Sequence, residues 1–187
     1  MKNYKFKASF MKTTFLASGL SNWFFNGLFY YLLSSGVEKG IIDYAINGGA
    51  TALILSLICG GLALPGVKGN LKKGLVPDGV WDREHLIGHC APKGGFMQVL
   101  LASIIVTIVF TPICAGIFAL WACFNAATTF ALPLAQVTMP VMTGAVLHGF
   151  AACFMALMVT YLVNVFAVVT YQEANSQGPK YLKIARK

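Results

Sequence analysis

Residues Gly94–Gln172 read GGFMQVLLASIIVTIVFTPICAGIFALWACFNAATTFALPLAQVTMPVMTGAVLHGFAACFMALMVTYLVNVFAVVTYQ, 79 consecutive residues without a Lys, Arg, Asp or Glu. A water-soluble domain needs charged side chains over its surface, so a run of this length finds its solvent in lipid. The rest of the chain agrees. Of 187 residues, 57% are hydrophobic and 11% charged, where soluble domains carry roughly a quarter charged residues. The expected fold class is therefore all-α: a polytopic integral membrane protein forming a single membrane domain, residues 1–187.

Within the uncharged stretch the third span is expected at about 96–124 and the fourth at about 141–171. Pro112 lies near the middle of the third, where the missing backbone donor predicts a kink. The segment 125–140, with Pro133 and Pro140, is apolar but too broken for a good helix, and reads as a loop or a re-entrant segment held against protein. Working back toward the start, the run Thr13–Gly36 is longer than a secretory h-region and has no A-x-A cleavage site, so it is expected to be retained as the first span, about 13–35. The second, about 44–64, is expected to stop at Pro65-Gly66. The intervening loop, 66–95, is the longest polar segment. Pro77-Asp78 is expected to open a short amphipathic helix running to about His89, with Val80, Trp81, Leu86 and Ile87 resting on the membrane surface.

The net charge of +8 raises the question of a nucleic-acid partner. The basic residues form no aromatic-interleaved face; they fall at Lys2–Lys12, Lys68–Lys93 and Lys180–Lys187, with Lys39 apart, so no nucleic acid is expected. With four spans, 13 Lys and Arg share one side and one lies on the other, whereas five spans would move four basic residues across. The positive-inside rule thus selects four spans with both termini cytoplasmic, in a multi-pass protein of the cell (plasma) membrane.

Several function classes lose support. No charged residue lies within a span, which argues against an ion-coupled pump or a carboxylate-based proton carrier. Exporters of the small multidrug type share the span count but depend on an acid in the first helix, where this chain has Asn22 and Asn26. Five cysteines occur without a CxxC pair, which disfavours a membrane disulfide oxidoreductase. No nucleophile with an attendant base, phosphate loop or dinucleotide fingerprint is present, so neither an enzyme nor a cofactor is expected. His85 and His89, four residues apart in the middle loop, have the spacing of a metal-chelating pair, but Glu84 precedes the first His, unlike HExxH. A polar face of the interfacial helix is the preferred reading, with no metal.

What the spans do carry is stripes at helical spacing. Gly48, Ala52, Ser56 and Gly60 recur every four residues in the second span, as do Ser18, Asn22, Asn26 and Tyr30 in the first. His148, Ala152, Ala156, Thr160 and Asn164 follow the same spacing in the fourth, and Ser103, Thr107, Thr111, Ala115, Ala119 and Cys123 in the third. Small faces let helices approach closely, so Gly48, Ala52, Ser56, Gly60, Ala152 and Ala156 are read as helix-packing positions. This favours a non-catalytic membrane protein, self-associating or an accessory subunit of a larger complex, with the lipid bilayer and like or unlike membrane chains as partners. The alternative is a channel or carrier for a neutral or lipid-like solute, with Asn22, Asn26, His148 and Asn164 as polar contacts along its path. The heads of the first and third spans, Phe10-Met11 with Leu16-Ala17-Ser18 and Phe96-Met97 with Leu101-Ala102-Ser103, also hint at a two-span repeat in parallel orientation.

Overall fold

The computed structural model describes residues 8–33, 41–74, 83–84, 87–125 and 140–176. These form four helices, α1 (Ala8–Leu33), α2 (Ile41–Lys72), α3 (Gly95–Asn125) and α4 (Val141–Ser176), with a single 3-10 turn at Gly88–Cys90 and no strand among the described residues. Three of the helices, over Ile42–Lys72, Gly95–Trp121 and Val141–Asn175, are long and apolar enough to cross a bilayer.

Contacts set the directions. Gly19 lies against Cys153 and Leu157, and Gly27 against Ala145 and Gly149, so α1 and α4 run antiparallel. Gly48 meets Cys114 while Gly60 meets Val99, so α2 and α3 are antiparallel too. Gly60 also touches Val159 and Val163, and the ends of α2 and α4 that carry Tyr44 and Gly144 meet in one pocket, which makes these two helices parallel. The result is an up-down-up-down bundle. In it α1 packs on α4 and α3 packs on α2, while α3 also touches α4.

Helix α4 is the centre. Of its most apolar window 72% is buried, against 33% for α2 and 22% for α3, because α1, α2 and α3 all pack on it. Every residue from Leu162 to Val169 is buried. The packing depends on close approach at glycines. A Cβ on Gly149 would fall 2.7 Å from the Trp23 carbonyl oxygen, and one on Gly48 would fall 2.5 Å from the Cys114 Cβ. In lipid, where apolar side chains gain little by leaving their solvent, van der Waals contact at such sites is a main source of helix cohesion.

Two prolines lie inside helices, Pro65 in α2 and Pro112 in α3. Contrary to the expected stop at Pro65, α2 continues to Lys72. Proline removes one backbone bond and crowds the carbonyl four residues back, and here that carbonyl belongs to Gly61, beside Gly60, where the backbone adapts most readily. The extra turns are held by burial: Val67 and Leu71 are 3% and 1% exposed, in one cluster with Ala91. Helix α3 likewise continues through Pro112.

At the end where α2 stops and α3 begins, two polar devices tie the connection to α4. Gln98, 1% exposed, donates from Nε2 to the Pro92 carbonyl (2.9 Å) and to Thr170 Oγ1 (3.0 Å), and Thr170 donates onward to the Phe166 carbonyl (2.9 Å). Arg83 grips both carboxylate oxygens of Glu173, the Nη2 bond measuring 3.1 Å, and reaches the His89 carbonyl; the Glu173 hydrogen bonds push the guanidinium pKa still higher than usual. The expected amphipathic helix of the middle loop lies mostly outside the described residues, and what is described of it ends in the 3-10 turn, where Gly88 is buried. Residues 126–139, the expected loop or re-entrant segment, lie outside them as well.

Two glycine substitutions separate close packing from composition. Gly149→Ala should lower stability by ~1–3 kcal/mol through overpacking, because the added methyl meets backbone. Gly61→Ala, whose Cβ would have nothing within 4 Å, should leave stability unchanged or raise it by up to ~1 kcal/mol through helix propensity. Thermal unfolding of the purified variants in detergent reads both.

Candidate functional site

Opposite the Arg83–Glu173 end, side chains from all four helices converge on one pocket. Its lining is Tyr30 of α1; Tyr44, Asn47 and Gly48 of α2; Cys114, Ile117 and Phe118 of α3; and Gly144, Leu147, His148 and Ala151 of α4. The cavity is small, about 40 Å³, and opens at its mouth. The wall is predominantly apolar, and no Lys, Arg, Asp or Glu belongs to it.

An aromatic chain organises the site. The His148 ring stacks on Tyr30 with centroids 5.1 Å apart. Tyr30 Oη lies 2.7 Å from Tyr44 Oη. Tyr44 in turn stacks almost flat on Phe118, at 4.2 Å and 13°, and Phe118 on Trp121 at 6.4 Å. One continuous series of contacts thus joins α4, α1, α2 and α3. Glycine makes it possible: a Cβ on Gly144 would fall 2.5 Å from Tyr30 Cε1, so only a bare backbone lets that ring lie across α4 toward α2.

The four polar candidates from the stripes part company here, since His148 alone lines the pocket. Asn22 donates from Nδ2 to the Ser18 carbonyl (2.6 Å) and to Cys59 Sγ (3.4 Å). Asn26 donates to the Asn22 carbonyl (3.0 Å). Asn164 is 1% exposed, and neither its Nδ2 nor its Oδ1 finds a hydrogen-bond partner. The same inward turn is seen in α3, where Ser103, Thr107 and Thr111 donate to the carbonyls of Val99, Ser103 and Thr107 at 2.7–2.8 Å. Gly48, Ala52, Ser56, Gly60, Ala152 and Ala156 are all buried between helices. His85 lies outside the described residues, His89 is exposed, and no group of three or more metal-binding side chains occurs among the described residues.

Tyr44, Asn47 and Phe118 were not legible as site residues. Tyr44 reads in sequence as the start of a span and Phe118 as one apolar residue among many; the one available signal was Tyr30, which ends the first polar stripe at the level where the second span begins. No protein-family model, no curated protein and no solved structure matches this chain.

The hydroxyl pair offers a measurable coupling. A double-mutant cycle with Tyr30→Phe and Tyr44→Phe should give a coupling energy of about 0.5–1.5 kcal/mol, read by unfolding in detergent, since each single change removes the same bond.

Proposed function

We propose that this chain is a non-catalytic, four-span protein of the cell membrane that acts by assembly, as a self-associating chain or an accessory subunit of a larger membrane complex. The observation that carries this reading is how the polar stripes are spent. Residues lining a path offer their polar atoms to the solute, whereas Asn22, Asn26, Ser103, Thr107 and Thr111 donate to carbonyls of their own helices, and the small faces of α2 and α4 are occupied within the bundle. With these faces used within one chain, an assembly would use the outside. Gly61 and Gly116 leave open space on the outer sides of α2 and α3, where another helix can approach closely.

Four spans are supported by length and surface. At 1.5 Å per residue, the 26 residues of α1 reach about 39 Å, enough for the hydrocarbon core, and Phe24, Phe25, Leu28, Phe29 and Leu32 are exposed along it, a face suited to lipid. Lys68, Lys72, Arg83 and Lys93 gather at one end of the bundle, which the positive-inside rule places in the cytoplasm together with both termini. The middle loop then lies on that membrane surface as an amphipathic segment.

A second reading, a channel or carrier for a neutral solute, draws on the pocket around His148. Two substitutions distinguish them. Asn22→Leu removes three side-chain hydrogen bonds, to the Ser18 carbonyl, to Cys59 and from Asn26, and should weaken the bundle by roughly 0.6 kcal/mol per bond lost, while Asn164→Leu removes an unpartnered buried amide and should stabilise it or leave it unchanged. Solute passage along the stripes predicts instead that both abolish flux in proteoliposomes with stability and assembly intact. Orientation is tested with Cys90, which is exposed: in a chain keeping that cysteine alone, an impermeant maleimide should label inside-out vesicles and spare right-side-out ones.

A further inference from the structure

We propose that residues 42–47 of α2 and 113–121 of α3 form one hinged segment, which swings about Gly48-Gly49 and Pro112 and is latched shut by the Tyr30–Tyr44 hydroxyl bond. The hinge is where two weak points meet. Pro112 leaves the Ile108 carbonyl without its helix donor and crowds it with the ring, so α3 bends most readily there. Across from it α2 carries its glycine pair: a Cβ on Gly49 would fall 2.7 Å from Thr111 Oγ1 and one on Gly48 2.5 Å from Cys114 Cβ, residues on either side of the proline. Glycine has the most permissive backbone. Both helices are therefore compliant at one level, as the joint motion of two packed helices requires.

Burial changes at that same level. Before Pro112, α3 buries Gln98, Val99, Ala102, Ser103, Val106 and Phe110; after it, from 113 to 121, Phe118 alone is buried, and from 42 to 47 in α2 no residue is. Helix α4 behaves differently: beside the same pocket it buries Gly144, Ala145 and Gly149. A segment with few buried contacts opens at lower free energy than the core it extends from. Tyr44 and Phe118, stacked at 4.2 Å and 13°, join the two pieces so that they move together. Tyr44 Oη, 2.7 Å from Tyr30 Oη, ties the pair to α1. The cavity of about 40 Å³ lies between Tyr44 and Phe118 on one side and Tyr30, Gly144 and His148 on the other, so the seam along which the segment parts is already loosely packed. Opening exposes the wall formed by α1 and α4.

Hydrogen–deuterium exchange of the full chain in detergent micelles, read by mass spectrometry, tests the hinge. Amides of 113–121 should exchange about tenfold faster than those of 145–151, which lie at the same depth in α4, with a step at Pro112. Tyr44→Phe, a change in α2, should speed exchange of 113–121 in α3 roughly two- to tenfold and leave 99–110 and 162–169 unchanged. Tyr30→Phe, on the other side of the latch, should do the same. Pro112→Ala, which restores a donor to the Ile108 carbonyl, should slow exchange of 113–121. A smooth rise toward the end of α3, the mark of simple fraying, would overturn the proposal, as would equal protection of 113–121 and 145–151. So would a Tyr44→Phe effect confined to α2 or spread evenly over the bundle, or a folded Pro112→Ala chain that exchanges as fast as the unaltered one.

Discussion

The bundle depends on backbone-close contact between helices that lipid gives little other reason to associate. Gly149 of α4 meets the Trp23 carbonyl and Gly144 lies under the Tyr30 ring, while on the other side Gly48 and Gly60 of α2 receive Cys114 and Val99 of α3. Replacing these hydrogens with methyl groups would force whole helices apart or rings out of place. The same geometry makes α4 central: it presents Gly144, Ala145 and Gly149 to α1 and sets Val159 and Val163 against Gly60 of α2, and Ala152 and Ala156 are fully buried.

Much of this was legible in the sequence, because the features responsible are periodic or compositional. A 79-residue uncharged run and small residues every fourth position can be read directly. What escaped was three-dimensional. The continuation of α2 past Pro65 depends on Val67 and Leu71 having a place to bury, and on glycines one turn back, neither of which a helix-stop rule weighs. Gln98 reads as one polar residue at the head of an apolar run, yet its side chain joins the Pro92 carbonyl to Thr170 of α4, a partner 72 residues away.

The candidate site was legible only in part, for the same reason. Stripe spacing identifies the side of a helix but not what that side meets. Asn22, Asn26, His148 and Asn164 share a type of spacing and have different surroundings: Asn26 bonds to its own helix, Asn22 to its own helix and to Cys59 of α2, Asn164 is sealed without a partner, and His148 stacks in a pocket. His148 gains its setting from Tyr30 and Tyr44, which come from two other helices and meet because Gly144 is bare. Packing and pocket are thus products of one constraint. Where glycine lets helices touch, the interior closes; where aromatic rings lie across the gap near the helix ends, a small space remains.

The central claim, that α1 packs on α4 of the same chain through glycine contacts, is tested most directly by a disulfide. A Cβ on Gly19 would lie 3.3 Å from Cys153 Sγ, within reach of a normal bridge. In a chain whose other cysteines are replaced, Gly19→Cys should oxidise with Cys153 in the membrane to an internally bridged monomer. A covalent dimer in place of that monomer, or no bridge at all, would contradict the account.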